Sequence, residues 1–326
     1  MFIPDVLINA PTLETGISRD SVKAVLHCGD AVAVLRGLAE ESVNCCITSP
    51  PYFALRNYGV SGQIGQEETP DEYVERLVNV FREVRRVLRN DGTLWINIGD
   101  TYASKRPYGK IKRKDLIGIP WLLAFALRND GWYLRQEIIW HKPNPIPESV
   151  KDRVTRAHEQ IFLLSKSARY YFKADAIKEP AKGAGQKRSM GPKSLGNTDR
   201  NDGGRTMVIG EKRNKRSVWL IAPRPDPSAH FASFPVLIPE ICLKAGCPEG
   251  GTVLDPFSGA ATTGAAALQN KRRYAGIELN SEYVKIGTLR IVDGKHSVLI
   301  YADRKEDLPR RLNASEPGTT RRRTSP

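Results

Sequence analysis

A strand ending in an acid, a turn of small residues and an alanine-rich helix follow one another in Val253-Leu-Asp-Pro-Phe-Ser-Gly-Ala-Ala-Thr-Thr-Gly264. A second strand, Tyr274-Ala-Gly-Ile-Glu278, ends in another acid. Together they predict the first half of a Rossmann-like unit, whose ligand sits beyond the C-terminal ends of the strands. After Glu278 only about twenty residues precede the polar stretch that begins at Arg304, too few to complete a doubly wound sheet. The missing strands must come from the N-terminal half. The unit that would open such a sheet therefore stands last, and the predicted order is circularly permuted.

The N-terminal half carries the required pattern. Apolar runs bounded by turn residues predict strands at Ala24–Cys28, Val43–Thr48, Thr93–Ile98, Glu137–Trp140 and Gln160–Ser165. Helices are expected from Ala31 to Glu40, from Asp71 to Arg89 and from Ile119 to Asn129. In the second of these, Tyr73, Leu77, Val80, Phe81, Val84, Val87 and Leu88 recur at helical spacing, and Asn90-Asp91-Gly92 is the expected stop. Order resumes at Ser217–Ile221, and a helix is expected within Phe234–Cys242. With 326 residues, 40% of them hydrophobic, the chain can bury a sizeable core. No apolar run approaches the ~18 residues of a membrane span, and no secretory signal is read at the N-terminus. The five cysteines, Cys28, Cys45, Cys46, Cys242 and Cys247, show no zinc spacing and are expected to be free and buried. No metal is expected.

The turn at Asp255 departs from a dinucleotide site. It lacks GxGxxG, and an acid precedes it where a pyrophosphate would be repelled. These residues suit a ligand with a positive centre and no phosphates, such as S-adenosylmethionine, with Glu278 able to hold both ribose hydroxyls. An ordinary βαβ turn is the plainer reading of the same residues.

The strand Val43–Thr48 breaks on Ser49-Pro50-Pro51-Tyr52. Prolines lack N–H donors and fix φ. The corner therefore offers the Ser49 hydroxyl and the Pro50 carbonyl as two fixed acceptors, matching the two hydrogens of an exocyclic amino group. Tyr52 can stack on a flat base, and a base within a duplex must be flipped out to reach it. A strand-terminating proline turn explains the corner without chemistry.

The net charge of +14 favours a polyanionic partner, although charge also serves solubility. Much of it lies between Ala181 and Ser217, where ten Lys/Arg face three acids among seven glycines and few large apolar residues. Such a segment builds no core of its own.

Thr48-Ser-Pro-Pro-Tyr52 ahead of Asp255-Pro-Phe-Ser-Gly259 resembles the amino-group DNA methyltransferases of the permuted β class, over roughly Lys23 to Ile300. Trp140-His-Lys-Pro-Asn-Pro-Ile-Pro-Glu-Ser149, Arg153 and His158-Glu159 resemble the family's segment around the flipped base. His230–Pro235 resembles its second cofactor segment, and Gly29-Asp30 the acidic strand end near the adenine. The resemblance implies an α/β fold: a circularly permuted Rossmann-like methyltransferase with a mostly parallel seven-stranded sheet, helices on both faces and a basic target-recognition insertion. It implies that Asp255, Phe257 and Gly259, with Phe234 nearby, line the methionine part of S-adenosylmethionine. Glu278 would bind the ribose and Asp30 the adenine. Ser49, Pro50, Pro51 and Tyr52 would hold the target base. Lys142, Arg153, Lys187, Arg188, Arg205, Lys212, Arg213, Lys215 and Arg216 would contact DNA. Ala261 stands where the family commonly has a second glycine in the cofactor turn, a departure that bears on how tightly the cofactor is held.

The implied organisation is an N-terminal extension (1–20), the catalytic part (21–180), the insertion (181–218), the cofactor-binding part (219–300) and a basic tail (301–326). The implied activity is methylation of double-stranded DNA in a bacterial cytoplasm, by a bacterial or phage-encoded enzyme. Ser49 as the first letter of the corner favours cytosine N4 over adenine N6. The rival is a catalytically silent DNA-binding module. A homodimer and a cognate restriction endonuclease are left open as partners; a membrane is not expected.

Overall fold

The computed structural model describes residues 6–8, 23–189, 206–223, 234–294, 296 and 298–302. In chain order the elements are β1 (Val6–Ile8), β2 (Ala24–Cys28), α1 (Ala31–Gly37), β3 (Val43–Thr48), α2 (Pro70–Val87), β4 (Leu88–Ile98), α3 (Ile119–Asn129), β5 (Tyr133–His141) and β6 (His158–Ser165). There follow β7 (Glu179–Pro180), β8 (Lys187–Ser189), β9 (Thr206–Val208), β10 (Lys212–Arg213), β11 (Val218–Leu220) and α4 (Leu237–Gly246). The chain continues through β12 (Thr252–Asp255), α5 (Thr262–Gln269), β13 (Arg273–Glu278), α6 (Ser281–Asp293) and β14 (Val298–Ala302).

The main sheet has ten strands in the order β1-β14-β2-β13-β12-β3-β4-β6-β5-β11. The pairs are parallel except where β6 runs antiparallel to β4 and to β5. The expected count of seven strands is thus corrected to ten. The seven read from the sequence form the unbroken run from β2 to β5. The additions are short pieces at the two ends. β14 lays Val298 and Ile300, both fully buried, along β2, and β1 pairs beyond it. The three-residue β11 covers β5. Both coverings occupy backbone donors and acceptors that an open edge would leave bare.

Local chemistry explains the helices. Thr69 caps α2 by accepting from the Glu72 N–H at 3.2 Å, Pro70 occupies the first turn, and Asp71 and Glu72 face the positive end of the helix dipole. The helix buries Tyr73, Leu77, Phe81 and Val84 along one stripe. It ends at Val87, two residues before the expected Arg89, because β4 begins at the buried Leu88. The expected helix stop, Asn90-Asp91-Gly92, lies within that strand. Helix α1 likewise ends at Gly37 rather than Glu40.

Helices α1, α2 and α3 pack over one face of the sheet with Cys46, Leu94, Ile96 and Ile98. Helices α4, α5 and α6 pack over the other with Cys45, Ile47, Trp95 and Val253. All five cysteines are free and buried. In the basic segment, β7 pairs with β10 and β8 with β9, both antiparallel and outside the main sheet. Residues 190–205 of that segment, the N-terminal extension apart from β1, and the tail beyond Ala302 lie outside the described residues.

The sheet direction decides what meets. The C-terminal ends of β2, β3, β4, β12 and β13 reach one edge, bringing Asp30, Ser49, Gly99, Asp255 and Glu278 together. Because β6 runs the other way, its first residues, His158 and Glu159, arrive at the same edge.

Candidate active site

The last residue of β3 touches the last residue of β12. Thr48 donates its hydroxyl to Asp255 Oδ1 at 2.6 Å, and both side chains are buried. The Phe257 N–H donates to the same oxygen at 3.1 Å. Burial pushes the Asp255 carboxyl up to about 6, against these hydrogen bonds. One strand away, Glu278 accepts from the Gly259 N–H at 2.8 Å and from the Asn280 N–H at 2.9 Å. Burial pushes this carboxyl up to about 7, with the two N–H groups opposing the rise. The small-residue turn therefore spends the Gly259 N–H on Glu278 instead of presenting it to a phosphate.

Ala261 adopts a left-handed backbone, φ 55° and ψ 38°, at the start of α5. This conformation is the physical reason for a glycine preference at that place. The Ala261 side chain is fully buried, and a Cβ added to Gly287 of α6 would lie 3.0 Å from its methyl. The methyl thus packs between α5 and α6, and Ala261 is not among the residues that line the cavity.

The proline corner is held from behind. Tyr73 of α2 donates its hydroxyl to the Pro51 carbonyl at 2.7 Å, whereas no donor among the described residues reaches the Pro50 carbonyl. The Tyr52 ring lies on Gly99, where an added Cβ would come within 2.6 Å of its Cε2. Its phenol donates to Glu159 Oε2 at 2.6 Å. Burial, then the charge of Glu159, pushes this phenol well above its ordinary range, with hydrogen bonding from Ser49 opposing. Glu159 also accepts from Asn97 Nδ2 at 3.0 Å and from the Lys142 ammonium. Lys142 in turn sits 4.4 Å from the centroid of the Trp140 ring.

These groups line one cavity of about 590 Å³. It gathers Asp30, Ser49, Pro50, Pro51, Tyr52, Lys142, Phe234, Asp255, Phe257, Gly259 and Glu278, eleven residues named from the sequence. Asp30 also caps α1 through the Ala33 N–H at 2.9 Å. Arg153 lies outside the cavity lining, pairs with Glu148 and sits 3.8 Å over the Tyr102 ring. Lys187, Lys212, Arg213, Lys215 and Arg216 are also away from the cavity. Arg213 and Arg216 both pair with Glu179, at 2.9 and 2.6 Å, and Lys215 lies over Trp219. Arg188 belongs to β8, and Arg205 lies outside the described residues.

Sequence reasoning gave no role to Asn97, Tyr58 or Tyr283, which line the cavity, whereas Glu159, also in the lining, was placed only within the segment that resembles the family's around the flipped base. The available signal was His158-Glu159 at the head of an apolar run, an acid where a strand should begin.

Residues 43–289 match the family described as DNA methylase. The Type II methyltransferase M.SmaI of Serratia marcescens is 46% identical, over 81% of this chain and 89% of its own. M.Cfr9I of Citrobacter freundii is 44% identical, over 82% of this chain and 87% of its own. Among solved structures, a DNA modification methylase of Thermus thermophilus complexed with S-adenosyl-L-methionine superposes with a TM-score of 0.61 and 25% identity, covering 86% of this chain and 99% of its own. The cytosine-N4-specific PvuII DNA methyltransferase superposes with a TM-score of 0.63 and 19% identity, over 85% and 95% of the two chains, a likeness of fold.

Proposed function

Because the chain belongs to the DNA methylase family of amino-group methyltransferases, we propose that it methylates N4 of a cytosine flipped out of double-stranded DNA. One observation carries the reading: a donor-poor corner, Ser49-Pro50, opens onto the same cavity as the two acids Asp255 and Glu278.

The residues fit S-adenosylmethionine. The acids favour a cationic sulfonium and ribose hydroxyls over phosphates, and the Gly259 N–H is already committed to Glu278. Asp255, Phe257, Gly259 and Phe234 would hold the methionine part, Glu278 the ribose and Asp30 the adenine. Once bound, the cofactor supplies an electrophilic methyl group on sulfur.

The chain's own part is to hold the base and shape its nitrogen. The Ser49 hydroxyl oxygen and the Pro50 carbonyl accept the two amino hydrogens. This enriches the nitrogen lone pair and aims it along the transfer direction. Tyr52, fixed by Gly99 and Glu159, stacks on the base. So held, the amino nitrogen would be positioned to take up the methyl group, and the extra amino proton would leave to solvent. No covalent enzyme intermediate is required, which agrees with five buried cysteines. Ser49 as the first letter of the corner resembles the N4-cytosine enzymes, which favours cytosine over adenine.

Late-sequence β12 and β13 lie between β2 and β3 of the N-terminal half, which supports reading the fold as a circular permutation. The basic residues of 181–218 would read the target sequence, with phosphate and base-edge contacts. The work would be done where the host DNA lies, in the bacterial cytoplasm.

The test is methyl transfer from labelled S-adenosylmethionine to duplex DNA, followed by mass spectrometry of the nucleosides. Sequencing of DNA from an expressing host would map the modified context. N4-methyldeoxycytidine is expected. N6-methyldeoxyadenosine would overturn the base assignment, and DNA binding with no methylated nucleoside would leave a silent binding module.

A further inference from the structure

The segment 142–157 joins β5 to β6 along the catalytic edge, and it is built unlike an ordinary connection. Prolines alternate in Pro143-Asn144-Pro145-Ile146-Pro147. Each proline fixes its own φ and holds the residue before it extended. The far side of the segment is tied down: Glu148 pairs with Arg153 and accepts the Arg156 N–H, and Arg156 donates to the Asp100 carbonyl. At the centre of this stiff track stands Ile146, 87% exposed and lining the mouth of the catalytic cavity. Lys142, Lys151, Arg153 and Arg156 share the segment with two acids, Glu148 and Asp152.

A branched apolar side chain held rigidly in water among cations has an evident counterpart in a nucleic acid. Flipping a base leaves a gap in the duplex stack, and apolar side chains can enter such gaps while basic groups hold the flanking phosphates. We propose that Ile146 is the wedge that occupies the duplex gap left by the flipped base, holding it in the cavity beneath. The inference rests on the methyl-transfer reading above and adds to it the residue that keeps the duplex open. Ile146 acts on the duplex and not on the reacting atoms, so it is a positioning residue. A preformed backbone loses little freedom when the wedge inserts, which is what the alternating prolines provide.

The test uses the full-length protein and two duplexes carrying the mapped target context. One is fully paired; the other has an abasic residue opposite the target base, which removes the pairing the wedge must replace. Single-turnover methyl transfer is measured for the wild type and for Ile146→Ala, with S-adenosylmethionine affinity as a check that the variant is folded. On the paired duplex, Ile146→Ala should be slower by about tenfold or more, since unpairing is cheapest for an already unpaired base. On the abasic duplex it should match the wild type within about twofold, with unchanged cofactor affinity. An equal loss on both duplexes, or no loss on either, overturns the proposal. Other exposed aliphatics near this edge include Leu55, Val150 and Val154, of which Leu55 at 57% and Val154 at 88% are the more exposed. If the abasic rescue belongs to Leu55→Ala or Val154→Ala instead, the wedge is not Ile146. If the wild type is silent on both duplexes, the methyl-transfer reading falls and the wedge with it.

Discussion

The Thr48 hydroxyl lies 2.6 Å from Asp255 Oδ1, so the strand that ends in the proline corner is bonded to the strand that ends at the small-residue turn. The two are 207 positions apart in sequence. Thr48→Val keeps the shape and removes the donor from a buried carboxylate. A loss of about 1–3 kcal/mol in stability is expected, the usual scale for a buried polar group left short of a partner. Urea unfolding and titration calorimetry should show lower stability and weaker cofactor binding together. Unchanged values for both would make the contact incidental.

Burial raises Asp255 to about 6 and Glu278 to about 7. Both carboxyls therefore hold protons in the folded protein at pH values where the unfolded chain has released them. Their contribution to stability falls as pH rises from the ordinary carboxylate range, about 4, through about 7. A sulfonium and ribose hydroxyls favour the ionised forms. Cofactor affinity should therefore rise between about pH 5.5 and about pH 8, with proton release on binding near the middle of that window. Calorimetry in two buffers of different ionisation heat measures that release directly. An affinity flat across the window would remove these acids from the cofactor site.

Glu159 gathers the Tyr52 phenol, the Asn97 amide and the Lys142 ammonium. Glu159→Ala leaves all three donors without their acceptor. Methyl transfer should fall by roughly ten- to a hundredfold, because the Tyr52 ring loses its anchor, while cofactor affinity stays near the wild-type value. Glu159→Gln retains an acceptor and should be milder. If cofactor affinity and transfer fall in parallel, Glu159 supports the whole cavity instead of the base pocket.

Ala261→Gly should leave cofactor affinity unchanged, because the methyl faces Gly287 and not the cavity. Relief of the left-handed backbone is worth about 1 kcal/mol and is offset by the lost methyl packing. Gly287→Ala would set a methyl 3.0 Å from that of Ala261, so it should gain less than the usual helix-propensity increment of about 1 kcal/mol, and more of it once Ala261 is Gly. Thermal unfolding of the single and double variants separates these effects; a full gain in the single variant would contradict the packing.

The innermost strands were legible because they bury both faces as a short apolar run closed by turn residues, as in Val43–Thr48 or Thr252–Asp255, whereas β5 toward the sheet's margin is only partly buried. The acceptor corner and the two acids were legible because their chemistry is local. Glu159 was legible only as part of His158-Glu159; its hold on Tyr52 was not, because that ring is 107 residues away. The lie of the Ala261 methyl was equally hidden, being decided by the missing side chain at Gly287. β14 escaped because an isolated five-residue run past α6 carries no pattern that separates strand from loop.

The antiparallel course of β6 has a consequence of a different kind. A parallel crossover must carry a helix over the sheet, so lengthening it disturbs a packed face. The connection from β5 to β6 leaves and re-enters the same edge, pinned where His141 faces His158. Its length is therefore free of the helix layers, and doubling it would cost only about 0.6 kcal/mol in closure entropy. A change in the length of this connection would leave both packed faces of the sheet in place. The part of the molecule that bears Ile146 is thus built on the sheet without being bound to the packing of its helices.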